Sequence, residues 1–358
     1  MTKKKRETLW EGPNGEGPNG GITQSMLSTF IVCRERFRVK YCEGWQEADT
    51  FRHRIEYGSM WHVCEEALAS EQSKEHWLVW NDKLKEYAKK LCSRYRDQQP
   101  QVMHWMNVCK TQFPAYVNFW KTHPDAVTRK PLLQEKAFDV SYTLPSERTV
   151  RLRGKWDSVD IIGRGKDARV YLQENKTKGD VDEGQMRKQL MFDLQTMFYL
   201  IALEREGVDV SYPIAGVRYN VIRRPLAGGR NSIRKREPSK TNPRGESDDE
   251  FYSRLGGLIA EDPAYYFMRW CVEVLPSDLE RFQQQCLDPW LEMLYDWWEN
   301  ERDEVPSPQT EGRVTHARTP YGIYNVIAEG GTSDVDQYLA DGSTVGLAKA
   351  EKLFTELE

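Results

Sequence analysis

Apolar residues recur along this chain with two different periods. From Ile22, the stretch Thr23-Gln24-Ser25-Met26 reads as a capped helix start, and Leu27, Phe30, Ile31 and Phe37 follow at helical spacing. Residues 58–120 carry a second helical block, dense in Trp, His and Tyr and poor in Gly. Met60, Trp61, Cys64 and Leu68, then Trp105, Tyr116, Phe119 and Trp120, mark its apolar faces. Pro100 and Pro114 are expected to separate helices within it. At Pro131 the period shortens. Residues 132–142, 149–162 and 169–174 predict strands, separated by turn residues such as Gly163-Arg164-Gly165. A long helical pattern over 185–206 follows, and then an alternating segment at 214–222. Helices, three strands, a helix and a strand predict an α/β fold, a central mixed β-sheet flanked by helices with helical additions at both ends.

Turn-forming and charged stretches divide the pattern. EGPNG occurs twice, at 11–15 and 16–20, so residues 1–21 are expected to be a flexible lead-in. Residues 22–225 hold the α/β pattern, with a helical insertion at about 63–125. Residues 226–250 predict a mobile charged loop, and 251–358 a mainly helical C-terminal extension packed on the core. A Pro-containing break after about Glu304 leads into a low-complexity tail.

Composition narrows the classes. With 358 residues, 39% of them apolar and 30% charged, one large domain or two can be built. Lys and Arg total 51 against 55 Asp and Glu, a net charge of −4, which excludes a global basic coat but not a local patch. The mean hydropathy is −0.74, and the longest clean apolar run, Met197 to Leu203, is far short of the ~20 residues of a spanning helix. Met1 to Trp10 has no apolar stretch, so no secretory signal is expected. The seven cysteines, at 33, 42, 64, 92, 109, 271 and 286, include no CxxC pair. They predict reduced thiols in a cytoplasmic protein and no zinc ribbon.

The strand block carries the candidate chemistry. Gly154-Lys155-Trp156-Asp157-Ser158-Val159-Asp160 sets an acid near the end of a strand-like run. In Gln173-Glu174-Asn175-Lys176, Glu174 and Lys176 are two apart, which on a strand puts both on one face. Two carboxylates from neighbouring strands suit a hard divalent cation such as Mg²⁺. A lysine beside them can orient water and offset charge developing on a phosphate. An exposed strand pair with ordinary surface charges shows the same spacing. Gln195 and Tyr199, four apart, share a helix face beside the stripe Leu190, Leu194, Phe198 and Ile201. Upstream, Tyr57-Gly58-Ser59-Met60-Trp61-His62 places a histidine four residues after a glycine.

In this order, GxxxH, GxxD, ExK and QxxxY, the chain resembles the RecB-type exonuclease branch of the PD-(D/E)XK nuclease superfamily, which includes phage and CRISPR-adaptation exonucleases. Leu27 to Phe37, with Cys33 before a basic-aromatic run, resembles the N-terminal helix of that branch, and Tyr219 to Pro225 a strand end common in its phage members. The match covers about residues 22–225. The resemblance implies a restriction-endonuclease-like core and an Mg²⁺- or Mn²⁺-dependent deoxyribonuclease. Asp157 and Glu174 would bind the metal, with the Asn175 backbone carbonyl as a further ligand and His62 as ligand or neighbour. Lys176 would position the attacking water, and Gln195 and Tyr199 would hold the substrate backbone or the Lys176 surroundings. Glu135 is a candidate for a supporting or second-metal role, whereas Asp160 reads as structural. Many relatives bind an iron–sulfur cluster through one N-terminal and three C-terminal cysteines. Cys33 matches the first, but no cysteine follows Cys286, so no cluster is expected and Cys33 reads as a core residue.

Residues 223–244 hold eight Lys or Arg against one acid, and Glu246 to Glu250 then adds an acidic cluster. The segment is either a loop whose halves neutralise one another or a basic arm for a phosphate backbone. Arg223 and Arg224, at the strand end, are the candidate DNA contacts. Trp105, Trp120 and Trp156 either stack on bases or belong to the core. DNA is the expected partner, with a recombination or replication protein as a further one, and no membrane. Three readings stand: a DNA nuclease in end processing, recombination, repair or phage DNA metabolism; a DNA-binding scaffold on the same fold; and a restriction-type endonuclease.

Overall fold

The structure, a computed structural model, describes residues 7–47, 50–70, 76–207, 212–226, 233–302, 339–340 and 347–357. Among these residues the chain opens with strand β1 (Ile22–Thr23), helix α1 (Gln24–Val32), α2 (Arg34–Phe37) and β2 (Trp45–Glu47). The helical block is α3 (His53–Ser70), α4 (His76–Arg94), α5 (Gln99–Trp120) and α6 (Pro124–Thr128). Strands β3 (Lys130–Thr143), β4 (Thr149–Ile162) and β5 (Arg169–Lys178) follow, then α7 (Glu183–Leu190), α8 (Leu194–Glu206) and β6 (Ile214–Arg223). The remainder is α9 (Asp248–Glu261), α10 (Pro263–Tyr266), β7 (Phe267–Glu273), α11 (Pro276–Phe282), α12 (Asp288–Asp296) and β8 (Leu347–Lys349).

The sheet is mixed, as the alternation predicts. β3 and β5 pair antiparallel with β4, β6 lies parallel to β5, and β7 closes the far edge antiparallel to β6. The parallel step needs a crossover, and α7 and α8 supply it. Phe138, Val140, Tyr142, Val150, Leu152, Val170, Leu172, Val217, Tyr219 and Val221 alternate into one core with Phe198 and Ile201 of α8, Leu27 and Phe30 of α1 and Leu291 and Leu294 of α12. A second core joins α3, α4, α5 and α9 to Ile222 and Phe267 on the sheet. Thr23 caps α1 by accepting from the Met26 N–H, and Gly207, with φ 64, ends α8 in the left-handed region.

Four expectations change. The segment expected as a flexible lead-in is packed over residues 7–21: Trp10 is fully buried, edge-on to Phe37 and Trp298 at 5.1 and 4.7 Å. The repeat's carbonyls are hydrogen-bond acceptors. Pro13 O takes the Arg151 N–H at 2.9 Å, and Pro18 O takes the Arg153 guanidinium at 2.7 Å. Pro114 lies inside α5 instead of ending it, and Pro100 sits in the first turn, where its missing N–H costs nothing. Burial of Phe113 and Tyr116 beside Pro114 holds that helix together. The helix expected over 185–206 is two, broken where Phe192 turns to φ 55. Finally, the extension expected to be mainly helical contributes β7 to the sheet.

Residues 233–247 form no helix or strand, while Lys235 pairs with Asp248 at 2.7 Å and Arg244 with Glu250. The low-complexity tail from 303 to 338 lies outside the described residues, as does Arg230. No helix of the described residues is long and apolar enough to cross a membrane.

Candidate active site

Asp157 and Glu174 stand on adjacent antiparallel strands. Ser158 pairs with Gln173, so the two acids lie one step along from a registered pair. The Asp157 carboxylate reaches across the strand gap: its Oδ2 accepts the Asn175 N–H at 2.8 Å. Glu174 is 3% exposed, and its Oε1 accepts from Lys176 Nζ at 2.7 Å and from Gln195 Nε2 at 2.9 Å. Lys176 Nζ also donates to Gln195 Oε1 at 2.7 Å. The two-residue spacing on β5 and one residue of α8 thus close a three-membered ring of charge-assisted hydrogen bonds. Glu174 Oε2 is buried with no hydrogen-bond partner. A buried carboxylate oxygen left so is costly unless a cation completes it.

The second half of the site comes from α3. His62 Nδ1 lies 3.0 Å from Glu135 Oε1 and 3.6 Å from Asp157 Oδ1. Ligating atoms of His62, Glu135 and Asp157 all fall within 4.8 Å of one another. Gly58, one helical turn before His62, lets α3 approach β5, because a Cβ there would sit 3.3 Å from Thr177 Oγ1. Lys155 Nζ holds the other Glu135 oxygen at 2.8 Å. Glu135 has φ 45 inside a strand, a conformation costing a non-glycine about 1–3 kcal/mol. The alternation of both strands shifts there. Phe138 and Trp156 enter the core under α8, whereas Gln134 and Ser158, of the same parity, bond to Asp160. The strain thereby turns the Glu135 carboxylate toward His62.

Three acids in one pocket perturb each other. Burial pushes Asp157 up to about 7; His62 and the Asn175 N–H oppose that, and the Glu174 and Glu135 charges add to it. Burial pulls His62 down, but the Asp157, Glu135 and Glu174 carboxylates outweigh it and carry the imidazole up to about 9. Lys176 is held above the ordinary lysine range, because Glu174 overcomes its burial. Tyr199 is pushed up by burial and by Glu174 and Asp157, so its hydroxyl keeps its proton. Such displaced pairs concentrate where chemistry is done.

The sequence-derived residues are not all placed alike. Asp157, Glu174, Lys176, Gln195 and His62 converge, with the Tyr199 hydroxyl against Gln195. The Asn175 side chain faces away, accepting from Asn220 at 2.8 Å, while its backbone stays at the site. Arg223 is engaged within the fold: it donates to Val181 O at 2.9 Å and Tyr265 O at 3.1 Å, with its guanidinium 3.9 Å over the Tyr265 ring. Arg224 is nearly buried beside the end of β5. Trp156 is fully buried, Trp120 lies under the Arg269 guanidinium at 4.0 Å, and Trp105 stacks on His53. Cys33 is buried, its sulfur accepting the Arg36 N–H. Asp160 is structural: Arg218 and Arg129 bind it at 2.9 and 2.8 Å in the interior. Lys155 was not singled out from the sequence, since a lysine in an alternating strand looks like any solvent-facing residue.

A family profile described as the PD-(D/E)XK nuclease superfamily matches residues 22–304, from β1 to just past α12. No curated protein matches this chain.

Proposed function

Because this chain belongs to the PD-(D/E)XK nuclease superfamily, and is by that membership a phosphodiester hydrolase with DNA as the implied substrate, we propose that it is an Mg²⁺- or Mn²⁺-dependent exonuclease of the RecB-type branch. Its work would be DNA end processing in recombination, repair, replication or phage DNA metabolism. The observation that carries the reading is the ring of Glu174, Lys176 and Gln195, with the Asp157 carboxylate held against the same strand. A site that no longer cleaves has no use for a buried, unpartnered carboxylate oxygen.

The donor set fits a hard divalent cation. It offers oxygens and one imidazole, and Glu174 Oε2 has no other partner. Asp157, Glu174, His62 and the Asn175 carbonyl would hold the ion, and Glu135 would steady His62. When bound, such an ion supplies Lewis-acid polarisation of a phosphoryl oxygen and eases deprotonation of water. The chain's own residues do the rest. Lys176 presents a fixed ammonium to charge developing on the phosphate, and Gln195 holds both Lys176 and Glu174 in place. Tyr199 keeps its proton, and its hydroxyl stands against the Gln195 side chain.

The test is cleavage of end-labelled single- and double-stranded DNA with Mg²⁺, Mn²⁺ or EDTA, for the native chain and Glu174→Ala. The native chain should shorten labelled DNA from its ends with metal only, and Glu174→Ala should be slower by at least two orders of magnitude. Equal cutting by both proteins, or binding without cutting under every condition, would reject the proposal.

A further inference from the structure

Arg224 is 7% exposed, and its Nε and Nη1 are buried without a hydrogen-bond partner. It follows the last residue of β6, and its N–H donates to Lys178 O at 2.7 Å, so it stands at the open end of the β5–β6 pair. An uncompensated guanidinium in such a place is unfavourable until an anion completes it. Burial and then the neighbouring cation Arg54 disfavour its charge, with Tyr57 opposing them. Arg54 and His53 open α3, whose N-terminus adds partial positive charge of its own. His53 is held below the ordinary histidine range by burial and by Arg224 and Arg54, and is fixed by stacking on Trp105 at 4.8 Å. Lys178 is likewise lowered by burial, Lys176 and Arg224, with Asp193 its counter-charge. The acid in the first turn of α3, Glu56, is occupied by the Tyr95 and Tyr87 hydroxyls at 2.7 and 3.2 Å. Lys178 follows Lys176 by two residues on β5, on the same face and about 6.6 Å along the strand.

We propose that Arg224, ringed by Arg54, His53 and Lys178 at the N-terminus of α3, forms a phosphate-binding subsite that takes a phosphoryl group of the nucleic-acid strand other than the one cut. This rests on the nuclease reading for its ligand. Arg is suited to the task because its planar fork matches two phosphate oxygens. The site differs from a loose basic groove: its central guanidinium is buried, while Arg54 and Lys178 stand exposed at its rim beside His53.

The full chain is melted in EDTA with sodium phosphate or with sodium chloride at matched ionic strength. Phosphate should raise the wild-type Tm by about 2–4 °C over chloride. Arg224→Met should lose that difference, and Arg54→Met, at an exposed position that does not threaten the fold, should reduce it at least by half. Anisotropy of oligonucleotides with and without a terminal phosphate, also in EDTA, then assigns the source. Loss of a terminal-phosphate preference in Arg224→Met points to a strand end, and equal weakening of both oligonucleotides points to an internal phosphate. No phosphate-specific shift in the wild type, or a full shift in both variants, overturns the subsite. None of these readouts needs cleavage, so their failure is distinct from a failure of Glu174→Ala to lose activity.

Discussion

Lys176 touches two side-chain partners, Glu174 and Gln195, at 2.7 Å. An ammonium fixed in that way is worth more to a transition state than to a resting phosphate. Lys176→Met should therefore lower kcat by two or more orders of magnitude while weakening DNA binding less than tenfold, read by single-turnover cleavage and by anisotropy in Ca²⁺. His62 gives a prediction for the metal-free protein. Its imidazole titrates near 9 in the fold against about 6.5 unfolded, so between those values the folded chain holds the extra proton. The His62 contribution is full below about 6.5 and is lost as pH rises through 9, by up to about 3 kcal/mol. Asp157, raised from 3.8 to about 7, slopes the same way at lower pH. Urea midpoints in EDTA should fall from pH 6 to pH 9, and His62→Asn should flatten that limb. Saturating Mg²⁺ should reverse it, because a metal ligand must be deprotonated.

Among the elements, the close fit of β4 to α8 hangs on one glycine. A Cβ at Gly154 would meet Phe138 Cζ at 2.5 Å and Tyr199 Cε1 at 3.0 Å. Gly154→Ala should cost about 1–3 kcal/mol by urea unfolding and lower cleavage as Tyr199 moves. The four long strands were readable because their buried residues alternate with period two, and GxxD, ExK and QxxxY fall where β4, β5 and α8 bring them together. What escaped was fixed by partners distant in sequence. β7 contains Arg269, Cys271 and Glu273 and looks unlike a strand; its place comes from the free edge of β6. The break between α7 and α8 falls at Met191-Phe192-Asp193, which holds neither Gly nor Pro, so nothing local announces it. Glu135 was readable only as a nearby acid, because the left-handed turn that aims it at His62 leaves no mark in the residue type. Arg223 and Arg224 looked equivalent; only the fold engages the first with Tyr265 and leaves the second incomplete.

Across the whole molecule, the site lies at a seam between two cores. His62 comes from the helical core of α3, α4 and α5, and the acids, lysine and glutamine come from the sheet and α8. A bound cation would tie the two together, so Mg²⁺ should raise the Tm of the native chain and leave Glu174→Ala nearly unmoved. Segments far apart in sequence meet as well. Leu353 N–H donates to Asn19 Oδ1 at 3.0 Å, and Arg153 lies 4.3 Å over the Phe354 ring. Trp10→Ala should cost about 3–5 kcal/mol by urea unfolding, because the indole is buried between Phe37 and Trp298. That indole also sets an order of events at the ribosome. Trp10 emerges early but finds one wall of its pocket only when Trp298 has been made, roughly 15–60 s later at ordinary rates of synthesis. Until then Trp10 lacks that wall, and a nascent chain stalled before Trp298 should be clipped within residues 7–21 more readily than the released protein.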